Sequence, residues 1–84
     1  MELREQAEKI QTRDDFVTFI HALIQDLHTC PERWENTGLE AYLAAIAAWI
    51  EDMDGYYSNR GEKVPQQLTW KHMGDILLAA RIYE

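Results

Sequence analysis

The side chains in this sequence that most clearly could bind a ligand or a metal ion are three acids: Glu51, Asp52 and Asp54. Gly55 follows them, and because glycine commonly ends a helix, the pattern predicts that these carboxylates lie in the last turn of a helix. The negative end of a helix dipole disfavours each exposed acid by roughly 0.3–1 kcal/mol. Carboxylates in that position indicate a compensating cation, a bound metal ion or a binding surface.

A calcium loop of the EF-hand type does not fit this segment. Such a loop needs oxygen ligands at its positions 1, 3 and 5, glycine at position 6 and glutamate at position 12. With Gly55 at position 6, Ile50 stands at position 1 and Gly61 at position 12. Both end ligands are missing, so the segment is not an EF-hand.

A looser metal site is also disfavoured by the directions of the three acids. Glu51 and Asp54 are three residues apart and share one side of the predicted helix, whereas Asp52 points away. We therefore predict no bound metal. We expect instead that a basic side chain pairs with Glu51 or Asp54, supplied by one of three residues: Arg60, Lys63 or Arg81.

The remaining reactive side chains form no recognisable catalytic pattern. Cys30 is the only cysteine and is followed by proline, without a partner arrangement for nucleophilic catalysis. His21 and His28 are seven residues apart, roughly 10.5 Å along a helix, which is too far to share one metal ion. No glycine-rich phosphate loop is present. We predict that the protein is not an enzyme and needs no cofactor.

Aromatic residues beside the acids indicate a protein-binding surface instead. Trp34, Tyr56 and Tyr57 fall in predicted loops, and tryptophan and tyrosine are common anchors of protein interfaces. The alternative is that Trp34 and one tyrosine cap the helical core while their polar atoms reach water. The predicted surface contains six residues: Trp34, Glu51, Asp52, Asp54, Tyr56 and Tyr57.

Composition limits the choice of partner. The chain of 84 residues carries 15 acidic and 8 basic side chains, a net charge of −7. Nucleic acids and anionic membranes attract basic surfaces, so we expect neither as a partner and favour a basic protein. The first residues lack the apolar core of a signal peptide, and no apolar run approaches the roughly 20 residues that span a bilayer. We expect a cytoplasmic protein.

Apolar residues at helical spacing predict an all-α fold, a compact bundle of three main helices with a short N-terminal helix, in one domain of residues 1–84. The predicted helices span four segments: 2–10, 14–28, 39–54 and 70–83. Thr12 and Thr69 are predicted N-caps, and Thr37 with Glu40 matches a capping box. The third helix is apolar on nearly all sides, which predicts a central position. Its alanines also offer a homodimer face: Ala41, Ala44, Ala45 and Ala48.

Several segments from Phe16 onward form one pattern: WEN at 34–36, LExYL at 39–43, AWIEDMDGYY at 48–57, Trp70, and LLAARIYE at 77–84. This pattern resembles a family of small uncharacterised bacterial proteins with no assigned activity. The resemblance implies a single helical domain and no mechanism.

Our leading functional hypothesis is a non-enzymatic protein-binding module, of the acidic immunity or antitoxin type that masks a basic partner. A small metal- or ligand-binding domain that uses Glu51, Asp54 and His72 is one alternative. A homodimeric structural module is the other.

Overall fold

The computed structural model describes residues 2–83 and contains only helices and loops in that range. The helices are α1 (Leu3–Glu8), α2 (Arg13–Thr29), a short 3₁₀ turn (Pro31–Arg33), α3 (Leu39–Asn59) and α4 (Trp70–Ala80). The predicted all-α fold with three main helices and a short N-terminal one is confirmed. Its Cα radius of gyration is 12.7 Å.

The short helix α4, rather than α3, occupies the centre of the bundle. It contacts α1, α2 and α3, whereas α3 contacts no other helix of residues 2–83. Ile76 and Leu78 are both buried, and residues two apart point to opposite sides of a helix. The prediction of a central third helix is therefore wrong, because α3 buries one side only.

Two core clusters lie on the two sides of α4. Leu78 joins one cluster with α1 and α2, and Ile76 joins the other with α3. The buried members of the first cluster are Ala7, Ile10, Phe19, Leu23 and Leu78. Those of the second are Trp49, Met53, Tyr57 and Ile76. The bundle is therefore held together through α4.

Helix α3 extends beyond its predicted end at Gly55. It ends in a Schellman arrangement around Gly61, which has a φ of 70°. The Gly61 amide donates to the Ser58 carbonyl at 3.0 Å, and the Glu62 amide donates to the Tyr57 carbonyl at 2.9 Å. Burial of Tyr57 offsets the roughly 1 kcal/mol that a glycine costs inside a helix.

The caps of the other helix ends are partly as predicted. Thr12 and Thr69 accept hydrogen bonds from backbone amides and cap α2 and α4. The predicted Thr37 capping box is wrong, since Gly38 is the N-cap of α3 and no side chain caps it. Helix α4 ends at Ala80, where the side-chain amide of Asn36 donates to the Ala80 carbonyl at 2.9 Å.

Candidate partner-binding surface

The three acids lie inside α3 rather than at its end. All three are exposed. Because the helix continues to Asn59, they do not lie in its last turn, and the predicted unfavourable interaction with the helix dipole is absent. Asp52 accepts a hydrogen bond from the Tyr83 hydroxyl, and this bond raises the pKa of Tyr83. Glu51 and Asp54, on another side of α3, make no ion pair within residues 2–83.

The expected counter-charges pair with other carboxylates. Arg81 lies 3.4 Å from Asp26, and Arg60 lies 2.9 Å from Glu62. Arg60, Arg81 and Lys63 form no salt bridge with an acid of α3 within residues 2–83, so the prediction of internal compensation by one of them is wrong. The prediction depends on a helix end at Gly55, whereas α3 continues to Asn59.

Tyr56 and Tyr57 belong to α3, so the prediction that they lie in a loop is wrong. Tyr57 is only 5% exposed, and its burial raises the pKa of its hydroxyl. Tyr56 is at the surface, with its ring centroid 5.4 Å from that of Trp49 and 5.3 Å from the Arg60 guanidinium carbon. Tyr57 is therefore not accessible to a partner, whereas Tyr56 is.

Trp34 connects three parts of the bundle. Its indole N–H donates to the Asp26 carboxylate at 2.8 Å, and the Arg81 guanidinium carbon lies 5.7 Å from its ring centroid. The ring is half-buried and packs against the first core cluster. These contacts support the alternative in which Trp34 caps the core.

The structure reveals an apolar stripe along α3 that the predicted surface omitted. Leu39, Leu43 and Ile50 are 75%, 54% and 43% exposed. Their spacing of four and seven residues places them on one side of the helix. The sequence signal for this stripe is an apolar arc that is wider than one packed neighbour covers, and the same arc also favours a central helix.

An acidic row runs beside this apolar stripe. It consists of Glu40, Glu51 and Asp54, all exposed, which helical spacing places within one narrow sector. Around the helix, the apolar stripe therefore lies between the acidic row and the buried residues Trp49 and Met53. Two of the predicted binding residues, Glu51 and Asp54, thus belong to an apolar and acidic face.

More apolar side chains are exposed on α2 and α4. Val17 and Ile24 of α2 are each 47% exposed, and Trp70 and Met73 of α4 are 42% and 38% exposed. Helices α2 and α3 both pack on α4 without contacting each other. Contiguous exposed apolar side chains, such as those of the stripe on α3, commonly mark an interaction site.

The described residues offer no obvious metal site. No group of three or more His, Cys, Asp or Glu side chains in residues 2–83 is placed to hold a metal ion. His72, the third member of the alternative ligand set, accepts a hydrogen bond from the Thr69 amide through Nδ1 at 3.0 Å. Its ring stands edge-on to the buried Tyr57. That imidazole therefore takes part in the cap of α4.

The protein is structurally a small all-α domain with one exposed helix face that is both apolar and acidic. Residues 12–84 match the model of a family of unknown function, DUF7660, and the chain belongs to that family. No curated protein and no solved structure shows significant similarity to it. Within residues 2–83, no helix has both the length and the apolar character to cross a membrane.

Proposed function

We propose that this protein is a non-enzymatic binding module that receives a basic, amphipathic segment of a protein partner on α3. The observation that carries the proposal is the uncovered apolar stripe, in which Leu39, Leu43 and Ile50 are 43–75% exposed. Full burial of such a side chain contributes roughly 1.5–3 kcal/mol. Because each is already partly covered, the three anchors together supply about 3 kcal/mol before the costs of association.

Charge supports a basic partner over a second copy of the chain. The acidic row beside the stripe attracts lysine and arginine side chains at the rim of an interface, which speeds association. A second copy carries the same net charge of −7 and is repelled at long range. The alanine face considered for a homodimer is also partly covered, since Ala45 is 5% exposed.

A narrower form of this proposal is an immunity or antitoxin protein. In such a pair the acidic row would neutralise basic residues of the toxin while the stripe covers an apolar part of it. The net charge of −7 and the small size of the domain support this form. Masking needs only a stable interface, so no catalytic group is required.

Affinity capture with matched charge variants tests the binding surface. Glu51→Lys/Asp54→Lys reverses two charges of the acidic row, and Glu32→Lys/Glu35→Lys makes the same change at exposed acids outside it. We expect one partner to be retained by the unchanged chain and by the control, and lost by the first variant. Leu43→Glu, which alters the stripe, should lose the same partner.

Two results would contradict this proposal. One is a partner that binds equally well to all four proteins, provided that their melting curves show them to be folded. The other is a concentration-dependent dimer of the purified chain in sedimentation analysis that Leu43→Glu abolishes. The stripe would then be the interface between two copies.

A further inference from the structure

Four of the five arginines in this acidic chain line two adjoining cavities. The first cavity, of about 690 Å³, lies between α1, α2 and the end of α4, and Arg33 is part of its wall. The second, of about 320 Å³, lies between α1, α3 and the end of α4, and Arg60 is part of its wall. Arg4 and Arg81 line both cavities. Only Arg13 lies outside them.

The charge of these walls is opposite in sign to that of the whole protein. The two cavities are lined by four arginines and three carboxylates, whereas the chain has 8 basic and 15 acidic residues. Asp75, the one carboxylate of the second cavity, lies 3.0 Å from the Lys71 ammonium. Arg60 is paired with Glu62 at 2.9 Å and Arg81 lies 3.4 Å from Asp26, so Arg4 is the arginine of the second cavity whose charge most favours an anion.

Two of the arginines are available to a ligand. Arg4 is exposed and makes no salt bridge within residues 2–83. Arg81 is 17% exposed, and its distance of 3.4 Å to Asp26 exceeds the usual 2.7–2.9 Å of a charge-assisted hydrogen bond. A guanidinium group that is held in place but weakly paired can bind a phosphate or carboxylate through two parallel hydrogen bonds.

The second cavity also has aromatic walls. Trp49, Tyr56 and Tyr83 line it together with the arginines. Tyr56 is fixed from two sides, by the Trp49 ring and by the Arg60 guanidinium, which donates to its hydroxyl at 3.1 Å. A flat ring of a ligand packs favourably against such a surface. The cavity volume of about 320 Å³ lies at the lower end of the range for small-molecule sites.

We propose that this cavity binds a small aromatic oxyanion, with a phosphate or carboxylate between Arg4 and Arg81 and a flat ring against Tyr56. A nucleoside monophosphate and an aromatic carboxylate share this chemistry. The site lies on the α1 side of α3, away from the apolar stripe. It is therefore independent of the protein-binding surface proposed above, and either site can be present without the other.

Titration of the ¹⁵N-labelled chain, followed by NMR, tests the site with four probes: adenosine 5′-monophosphate, 4-hydroxybenzoate, adenosine and inorganic phosphate. We expect saturable shifts around Tyr56 and Arg81 with the monophosphate or the benzoate. Adenosine and inorganic phosphate should each bind more weakly, because each supplies only half of the contacts. Loss of an arginine contact is expected to reduce affinity about tenfold.

Matched arginine variants make the test specific. Arg4→Gln should weaken binding about tenfold, whereas Arg13→Gln, at the one arginine outside the cavities, should leave it unchanged. Tyr56→Leu should weaken the aromatic probes and spare inorganic phosphate. Absence of saturable shifts with both aromatic probes at millimolar concentration would overturn the proposal. Equal loss of affinity in Arg4→Gln and Arg13→Gln would overturn it as well.

Discussion

Gly74 of α4 packs tightly against Ile10, which lies in the connection between α1 and α2, and its replacement by alanine tests this packing directly. A Cβ atom at this position would lie 2.5 Å from the Ile10 Cδ1 methyl and 3.7 Å from the Phe19 ring. Ile10 is only 3% exposed, so its methyl cannot move without displacing packed neighbours. Overpacking of this kind costs about 1–3 kcal/mol.

Alanine also stabilises the helix relative to glycine, and this gain offsets part of the overpacking cost. It is about 1 kcal/mol more favourable than glycine inside a helix. Gly74→Ala should therefore lower the free energy of unfolding by about 0–2 kcal/mol. Gly55→Ala is the matched control, because Gly55 lies in α3 and nothing stands within 4 Å of its added Cβ. We expect this control to be more stable than the unchanged chain by about 1 kcal/mol.

A second substitution identifies the clash. Ile10→Val removes the Cδ1 methyl and by itself should cost about 0.5–1.5 kcal/mol. Combined with Gly74→Ala, it should restore most of the lost stability, giving a favourable coupling of about 1–2 kcal/mol. Urea unfolding followed by circular dichroism measures the four variants and the unchanged chain. Equal stabilisation by Gly74→Ala and Gly55→Ala would refute the close contact between Gly74 and Ile10.

Two further predictions concern loop anchoring and alkaline stability. Asn36→Ala removes the donors to the Ala80 and Tyr83 carbonyls and should lower the free energy of unfolding by about 1–3 kcal/mol. The exposed control Asn59→Ala should change the free energy of unfolding little. Equal urea midpoints of the two variants would contradict the anchoring role of Asn36. Burial raises the pKa of Tyr42 to about 12. The contribution of the neutral Tyr42 hydroxyl to the free energy of unfolding is therefore fully present below the pKa of an unfolded tyrosine, near 10, and is lost as pH rises through about 12. Tyr42→Phe should therefore lose less stability than the unchanged chain between pH 9 and pH 12, and parallel melting profiles of the two would argue against this assignment.

The number and type of helices follow from the sequence because their apolar spacing is regular. The end of α3 does not follow from the sequence, since Gly55 and Gly61 are both glycines that could end the helix. Only the tertiary burial of Tyr57 decides that the helix continues to the second glycine. The length and apolar character of α3 favour it as the central helix, but the eleven-residue α4 takes that position because it buries opposite sides.

The candidate sites were predictable only in part. Exposure of Glu51 and Asp54 follows from their place on an amphipathic helix, and the structure agrees. Burial of Tyr57 depends on contacts with α4 that no local pattern records. The arginine-lined cavities bring together side chains from four parts of the chain, so neither spacing nor composition reveals them: Arg4, Arg33, Arg60 and Arg81.

The central position of α4 has a consequence for synthesis of the protein on the ribosome. Helices α1 and α2 contact each other, but α3 has no helical partner until residues 70–80 have emerged. Until then the future core face of α3, with Trp49 and Met53, stays exposed as the nascent chain grows. The core between α3 and α4 therefore forms only after α4 has been synthesised, and until then the exposed apolar face of α3 is prone to aggregation.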